Sequence, residues 1–317
     1  EASSHGLDQR RLDGVDVNIA AFTNLTHDHL DYHGDYETYF LAKARLFTDV
    51  LISEGVAVID VGSEAGARVA ELTRARGIRL ITTGKLDADI YIKPLALYAH
   101  GQDIEIHYEG HISKIFLPLV GSFQCQNLAV ALGIVSASGF NIGELLKSLS
   151  FLSTPRGRME YAGVTHLGAH VYVDYAHTPD ALERSLATLK ATGSEALWVV
   201  FGCGGDRDQT KRIEMGAVAQ SIADHIIVTD DNPRFEDAAS IRKMVIAGCV
   251  GAEEIPDRAA AIARALDQAK AGNIILVAGK GHEGGQTING KTLPFDDVAC
   301  IKAHILTTIS KVGGRDA

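Results

Sequence analysis

Ala196-Leu197-Trp198-Val199-Val200-Phe201 runs straight into Gly202-Cys203-Gly204-Gly205-Asp206-Arg207, an apolar run that turns into a polar, glycine-rich loop within one residue. The same change recurs where Ile227-Val228-Thr229 enters Asp230-Asp231-Asn232-Pro233-Arg234. It recurs again where Leu276-Val277-Ala278 enters Gly279-Lys280-Gly281-His282-Glu283. A fourth segment, Val173-Asp174-Tyr175-Ala176-His177-Thr178-Pro179-Asp180, ends a strand and caps a helix in the same manner. Helical stretches separate strands expected at residues 170–174, 196–201, 225–229 and 273–278. That rhythm predicts a mostly parallel sheet with helices on both faces. In such a sheet the four loops share one carboxyl edge, where open α/β folds bind ligands.

The upstream half is less regular. A strand is expected at residues 20–24, a helix at 36–50, a strand at 56–60, a helix at 64–76 and a strand at 79–83. Residues 90–119 alternate apolar and polar positions, with Gly101 and Gly110 at turns, which predicts antiparallel hairpins. Helices near residues 124–138 and 142–149 follow. The turn-rich Ser153-Thr154-Pro155-Arg156-Gly157 then marks a boundary between a domain of residues 1–153 and one of 154–317. A length of 317 residues favours two domains over one.

At 46% hydrophobic and 22% charged the chain can bury substantial cores. Its net charge of −10 argues against a nucleic-acid partner, because a protein that neutralises many phosphates carries a basic surplus. Small anionic ligands are compatible with it, held by local arginines and backbone amides. No apolar run approaches the roughly eighteen residues of a membrane span, and Glu1-Ala2-Ser3-Ser4-His5-Gly6 has no signal-peptide pattern. Cys125, Cys203, Cys249 and Cys300 lack C-x-x-C spacing, which argues against a zinc ribbon or a disulfide framework and fits a reducing cytosol. A cytoplasmic monomer with no nucleic-acid or membrane partner is expected.

Thr26-His27-Asp28-His29-Leu30-Asp31-Tyr32-His33 is dense in metal-ligand types. It approaches the H-x-H-x-D-H signature of metallo-β-lactamase-like hydrolases, but one residue separates the aspartate from the last histidine, and those ligands need fixed geometry. The other reading is a polar loop with a helix cap. Lys43 falls on the apolar stripe of Tyr36, Tyr39, Phe40, Leu46 and Phe47. It either snorkels to solvent or is neutralised, and carbamylation by carbon dioxide would make it a carboxylate-like magnesium ligand. Gly279-Lys280-Gly281-His282 looks like a phosphate loop, yet G-x-x-x-x-G-K-[ST] occurs nowhere in the chain. Gly202-Cys203-Gly204-Gly205 misses G-x-G-x-x-G, and its glycines allow a tight turn or close backbone approach to a ligand.

Several strings stand together in one order: Glu1-Ala2-Ser3-Ser4-His5-Gly6-Leu7, Thr23-Asn24-Leu25-Thr26-His27-Asp28-His29-Leu30-Asp31-Tyr32-His33-Gly34, Ala42-Lys43 and Gly157-Arg158-Met159-Glu160. The four strand-end loops follow them. With these the chain resembles the Mur ligase family over nearly its whole length, and within it the branch that adds meso-diaminopimelate. The resemblance implies that ATP phosphorylates the glutamate carboxylate of UDP-N-acetylmuramoyl-L-alanyl-D-glutamate, and that an amine of meso-diaminopimelate attacks the acyl phosphate. Catalysis of that kind is mainly positioning and charge neutralisation.

By the same resemblance Glu1, His29 and carbamylated Lys43 hold Mg2+, and His29, Lys43 and Arg207 are the catalytic positions. Ser3, Gln9 and Arg11 match contacts to the nucleotide-sugar, and Asn127, Arg158, Asp174 and His177 match contacts to ATP. Arg207, Asp231, Asn232, Pro233, Arg234, Gly279 and Glu283 match contacts to diaminopimelate. Two departures stand out. Gln124 occupies a place where the family has asparagine. The chain also starts after the family's first domain and its phosphate loop. The implied fold is therefore the remainder of a central ATPase domain followed by a Rossmann-like C-terminal domain, a portion expected to be inactive alone. Competing readings are a lysine-adding relative, a folate-type polyglutamate ligase, a metal-dependent hydrolase built on the histidine cluster and a non-catalytic ligand-binding fragment. The Asp-Asn-Pro-Arg loop and the Ser-Ser-His opening speak against the first two.

Overall fold

A computed structural model describes residues 1–25, 30–206 and 208–313. The chain forms two compact units. One comprises Glu1–Ala96, Gln102–Leu117 and Ser122–Phe151; the other comprises Leu97–Gly101, Pro118–Gly121 and Leu152–Ala317.

The first unit runs α1 (Ser4–Asp8), β1 (Val17–Phe22), α2 (Leu30–His33), α3 (Tyr36–Arg45), a π-helical turn (Leu46–Val50), β2 (Leu51–Asp60), α4 (Glu64–Ala75) and β3 (Arg79–Thr83). It continues with β4 (Ile90–Tyr98), β5 (Gly101–Tyr108), β6 (His111–Leu117), α5 (Phe123–Ala137), α6 (Ile142–Leu145) and a 3-10 helix (Leu146–Phe151). The six strands follow the order β1-β2-β3-β4-β5-β6. The first four are parallel, and β5 and β6 form the antiparallel hairpin that the alternation predicted. Asp35 caps α3 by accepting from the Thr38 N–H at 2.7 Å. The helix then buries Tyr39 and Phe40, and the π-helical turn buries Phe47, against Ala20, Phe22 and Ile59. The strand expected at residues 20–24 starts three residues earlier and ends two earlier, because Ile19 to Phe22 pair with Val56 to Ile59 of β2. The helix expected to run to residue 50 widens into a π-turn at Leu46.

The second unit runs β7 (Glu160–Val164), β8 (His170–Asp174), α7 (Pro179–Lys190), β9 (Ala196–Phe201), α8 (Thr210–Ile222), β10 (His225–Val228) and α9 (Ala238–Ile246). Then come β11 (Glu253–Glu254), α10 (Arg258–Gln268), β12 (Asn273–Ala278), the hairpin β13 (Gly285–Ile288) and β14 (Lys291–Pro294), and α11 (Asp297–Gly313). The main sheet has the order β11-β10-β9-β12-β8-β7, parallel throughout except for β7. Successive strand residues face opposite sides. Val199 and Phe201 pack with Leu182, Leu186 and Met215 on one face, whereas Val200 packs with Ile262, Ala265 and Ile301 on the other. Arg258 of α10 and Asp297 of α11, both wholly buried, close the second layer with a paired contact at 2.7 and 2.8 Å. Among the described residues no helix is long and apolar enough to cross a membrane.

Candidate functional site

Because β8, β9, β10 and β12 are parallel neighbours, their following loops emerge at one edge of the second sheet. Hydrogen bonds knit these loops together. The Gly205 N–H donates to the Asn232 carbonyl at 2.9 Å and the Gly279 N–H to the Asp174 carbonyl at 3.1 Å. Arg234 Nη1 donates to the Gly205 carbonyl at 2.6 Å, and Asn232 Nδ2 donates to Glu283 Oε2 at 2.8 Å. The edge predicted from four separate strings is thus one connected surface.

Asp231, Asn232 and Pro233 are buried and Arg234 is half-buried, with a left-handed φ of 53°. That backbone turn lets the Arg234 N–H and carbonyl engage Thr287 and Asn289 of the β13–β14 hairpin. With Nη1 tied to Gly205, the Nε–Nη2 edge of the guanidinium has no hydrogen bond to the described residues. A planar N–H pair of this kind fits a carboxylate. Asp231 has no side-chain hydrogen bond among the described residues. Burial pushes its carboxyl above the usual range, against the pull of Arg258 and Lys280. Gly279 faces it: at φ 111°, a Cβ there would stand 2.6 Å from Asp231 Oδ2. Burial also pushes the neighbouring Cys203 thiol up to about 12, so it is an inert packing group.

Asp174, buried at the end of β8, accepts from the Met159 and Ala176 N–H groups at 2.7 and 2.9 Å and from the Ser185 hydroxyl at 3.1 Å. Burial nevertheless raises its carboxyl above the ordinary value. Exposed Arg158 lies over the Tyr175 ring at 5.0 Å, and that ring also meets His177 and His282 at 4.5 and 5.2 Å. These side chains form a cationic and aromatic cluster beside Asp174, suited to contact with a heteroaromatic ring.

In the first unit, Glu1 and Lys43 line one cavity of about 470 Å³ together with Ala2, Thr23, Asn24 and Phe47. Lys43 is half-buried, and its Nζ reaches the Ala2 carbonyl at 3.4 Å. Its place on the apolar stripe therefore turns it toward the chain's first residues. Ser3 caps α1, accepting from the Gly6 N–H at 3.1 Å. Arg11 donates to Gln9 at 2.5 Å, and Gln9 to the Tyr32 hydroxyl at 3.1 Å, so Gln9 and Arg11 form one exposed polar group. Asn127, exposed in the second turn of α5, donates to Gln124 at 3.1 Å. His29 and Arg207 lie outside the described residues. No group of three or more His, Cys, Asp or Glu side chains able to hold a metal occurs among the described residues.

Two features escaped the motifs. Arg212, almost wholly buried, pairs bidentately with Glu236 at 2.9 Å, and Glu236 also receives the Asp206 N–H at 2.5 Å. Glu236 follows Arg234 by two residues, and only that spacing marks it. Lys280 is fully buried among loop acceptors, in a glycine-flanked stretch that looks like a phosphate loop but lacks its signature.

Comparison with known proteins supplies the frame. Residues 1–135 match the Mur ligase middle domain, and residues 157–281 match the Mur ligase, glutamate ligase domain. The UDP-N-acetylmuramoyl-L-alanyl-D-glutamate–2,6-diaminopimelate ligase of Zymomonas mobilis is 48% identical over 310 residues, covering 96% of this chain and 64% of that protein. The protein of the same name from Agrobacterium fabrum is 47% identical over 298 residues, covering 94% and 61%. A solved structure of a ligase of that name superposes with a TM-score of 0.72 at 39% identity, covering 98% of this chain and 64% of that one. The chain thus spans a little under two thirds of the length of the curated relatives it matches. With two domain models matched in order, and relatives of this identity along almost all of it, the chain belongs to the Mur ligase family.

Proposed function

We propose that this protein takes part in ATP-dependent amide formation, adding meso-diaminopimelate to UDP-N-acetylmuramoyl-L-alanyl-D-glutamate in peptidoglycan precursor synthesis. Residues 1–153 are assigned to a central ATP-binding domain and residues 154–317 to the C-terminal ligase domain. The observation that carries the reading is the Arg234 guanidinium, fixed at Nη1 by Gly205 with its Nε–Nη2 edge without a hydrogen bond to the described residues. Diaminopimelate differs from lysine by a carboxylate beside its distal ammonium, and this edge suits that carboxylate. Glu283, joined to Asn232 on the adjoining loop, supplies the charge for the ammonium.

In this reading Arg158, Asp174, His177 and Asn127 hold ATP, while Ser3, Gln9 and Arg11 hold the nucleotide-sugar. The carboxylate attacks the γ-phosphorus, and ADP leaves. The substrate amine then forms the new C–N bond and loses a proton, and phosphate departs. Arg207 and His29 act beside the reacting groups. An ammonium cannot ligate a cation, whereas the carbamate formed when the Lys43 amine adds carbon dioxide and loses a proton can. Glu1 and carbamylated Lys43, lining one cavity, would hold Mg2+ together with His29. The ion's part is to neutralise charge on the transferred phosphoryl group. Both nucleotide substrates belong to the cytoplasm, and so does the protein.

The test is product formation by the full-length protein with ATP, magnesium and the nucleotide-sugar dipeptide. Amide should form with meso-diaminopimelate and poorly with lysine. Equal use of the two amino acids overturns the substrate assignment.

A further inference from the structure

Lys280 has the sequence surroundings of a phosphate ligand and a different structural position. Its side chain is completely buried. Nζ donates to the Gly285 carbonyl at 2.5 Å, to Asn232 Oδ1 at 3.3 Å and to Glu283 Oε2 at 3.3 Å. An ammonium has three N–H donors, and these three acceptors use them all. None is left for a ligand, so any effect of Lys280 on a substrate must pass through the groups it holds.

Two of those groups are assigned above to the amino-acid substrate. Asn232 Oδ1 accepts from Lys280 and also from the Thr287 N–H at 2.9 Å. With two donors on the oxygen, the amide is locked against flipping, and Nδ2 must face Glu283, which it meets at 2.8 Å. Glu283 Oε2 consequently takes two donors, whereas Oε1 takes none from the described residues. The Glu283 side chain is 34% exposed, so it borders solvent on the side away from the lysine. Charge fits the same arrangement. Lys280 attracts the buried Asp231 carboxylate, which Glu283 repels; without the ammonium, two carboxylates would oppose each other.

We propose that Lys280 is a positioning residue for the amino-acid substrate. It loads one oxygen of Glu283 and orients the Asn232 amide, so that the other oxygen is presented to the ammonium of a zwitterionic amino acid. The proposal rests on the function proposed above.

The test is a double-mutant cycle in the full-length protein, with Lys280→Met, Glu283→Gln and the double variant. Calorimetry gives the Kd for meso-diaminopimelate, and steady-state kinetics gives the KM for that substrate and for ATP. Each single substitution should weaken diaminopimelate by about ten- to a hundredfold, while the KM for ATP stays within about threefold. Adding Lys280→Met to Glu283→Gln should cost less than about threefold more, because the lysine acts through a group already altered. Losses that multiply in full, or a KM for ATP that rises in parallel, overturn the proposal. If Lys280→Met alone does not fold, the step from Glu283→Gln to the double variant decides by the same criterion, since Glu283→Gln keeps an amide oxygen for the Lys280 ammonium and the double variant removes both charges together. A wild type that takes lysine and rejects diaminopimelate overturns the proposed substrate instead, and the cycle is then read with lysine.

Discussion

Gly205 lies so close beneath Pro233 that a Cβ on it would stand 2.0 Å from the Pro233 carbonyl oxygen. The glycine loop and the Asp-Asn-Pro-Arg loop are therefore in backbone contact, and only a residue without a side chain permits it. Gly205→Ala must push the Pro233 carbonyl away, and with it the backbone that presents Arg234. Overpacking of this kind costs about 1–3 kcal/mol. Urea unfolding should show a loss in that range, accompanied by weaker diaminopimelate binding. Unchanged stability and binding would mean that the two loops separate freely.

Arg234→Ala removes the group assigned to the distal carboxylate. Losing one partner of a buried, hydrogen-bonded charge pair costs about 2–5 kcal/mol. The KM for meso-diaminopimelate should therefore rise by roughly a hundredfold or more, with that for ATP little changed. Normal diaminopimelate binding by this variant removes Arg234 from the recognition site.

Lys43→Ala takes away the lysine that lines the cavity together with Glu1. Turnover by the full-length variant should fall by at least about 10²–10³-fold, the usual loss of an electrostatic contact in such sites. Added acetate or propionate should restore part of it by standing in for the carbamate. Near-normal turnover without rescue would show that this lysine only packs.

Asp60 predicts a pH effect in the first unit. Burial lifts its carboxyl above the ordinary 3.8, so the folded chain holds this proton more tightly than the unfolded one does. That stabilisation is fully present below about pH 3.8 and is lost as the pH rises through the folded value. Asp60→Asn escapes the loss and keeps an oxygen for the Gly62 N–H, which Asp60 holds at 2.8 Å. The stability of the variant relative to wild type should thus climb as the pH rises above about 4 and level off once the pH has passed the folded value. A difference that stays flat in urea titrations across that window argues that Asp60 ionises as in the unfolded chain.

The second sheet was legible because its strands are buried on both faces and read as unbroken apolar runs. Strands β8, β9 and β12 lie where those runs stand. β7 was not, because its burial is patchy and Gly163 at φ 140° breaks its register with β8. The β13–β14 hairpin is half-exposed to exposed along its length and carries no apolar alternation. Within the site, glycine and proline announced the loops, and Lys43 on the apolar stripe lines the same cavity as Glu1. Lys280 gave no such signal. A lysine becomes a buried structural cation only through acceptors that the fold gathers from residues 232, 283 and 285.

The turn between β4 and β5 belongs to the second unit although its strands belong to the first, as does the link Pro118–Gly121. The Tyr172 hydroxyl donates to the Ala99 carbonyl, and Val120 lies in the apolar layer of Met159 and Leu186. Ancestry and manufacture both feel this. A gene segment opening at Leu152 would encode the ligase sheet with a stripped patch, one phenol unanswered and one apolar layer short of a member. Shuffling such a segment between relatives is therefore not the exchange of a self-sufficient cassette; the donor must bring two short pieces from upstream, or the recipient must already own matching ones.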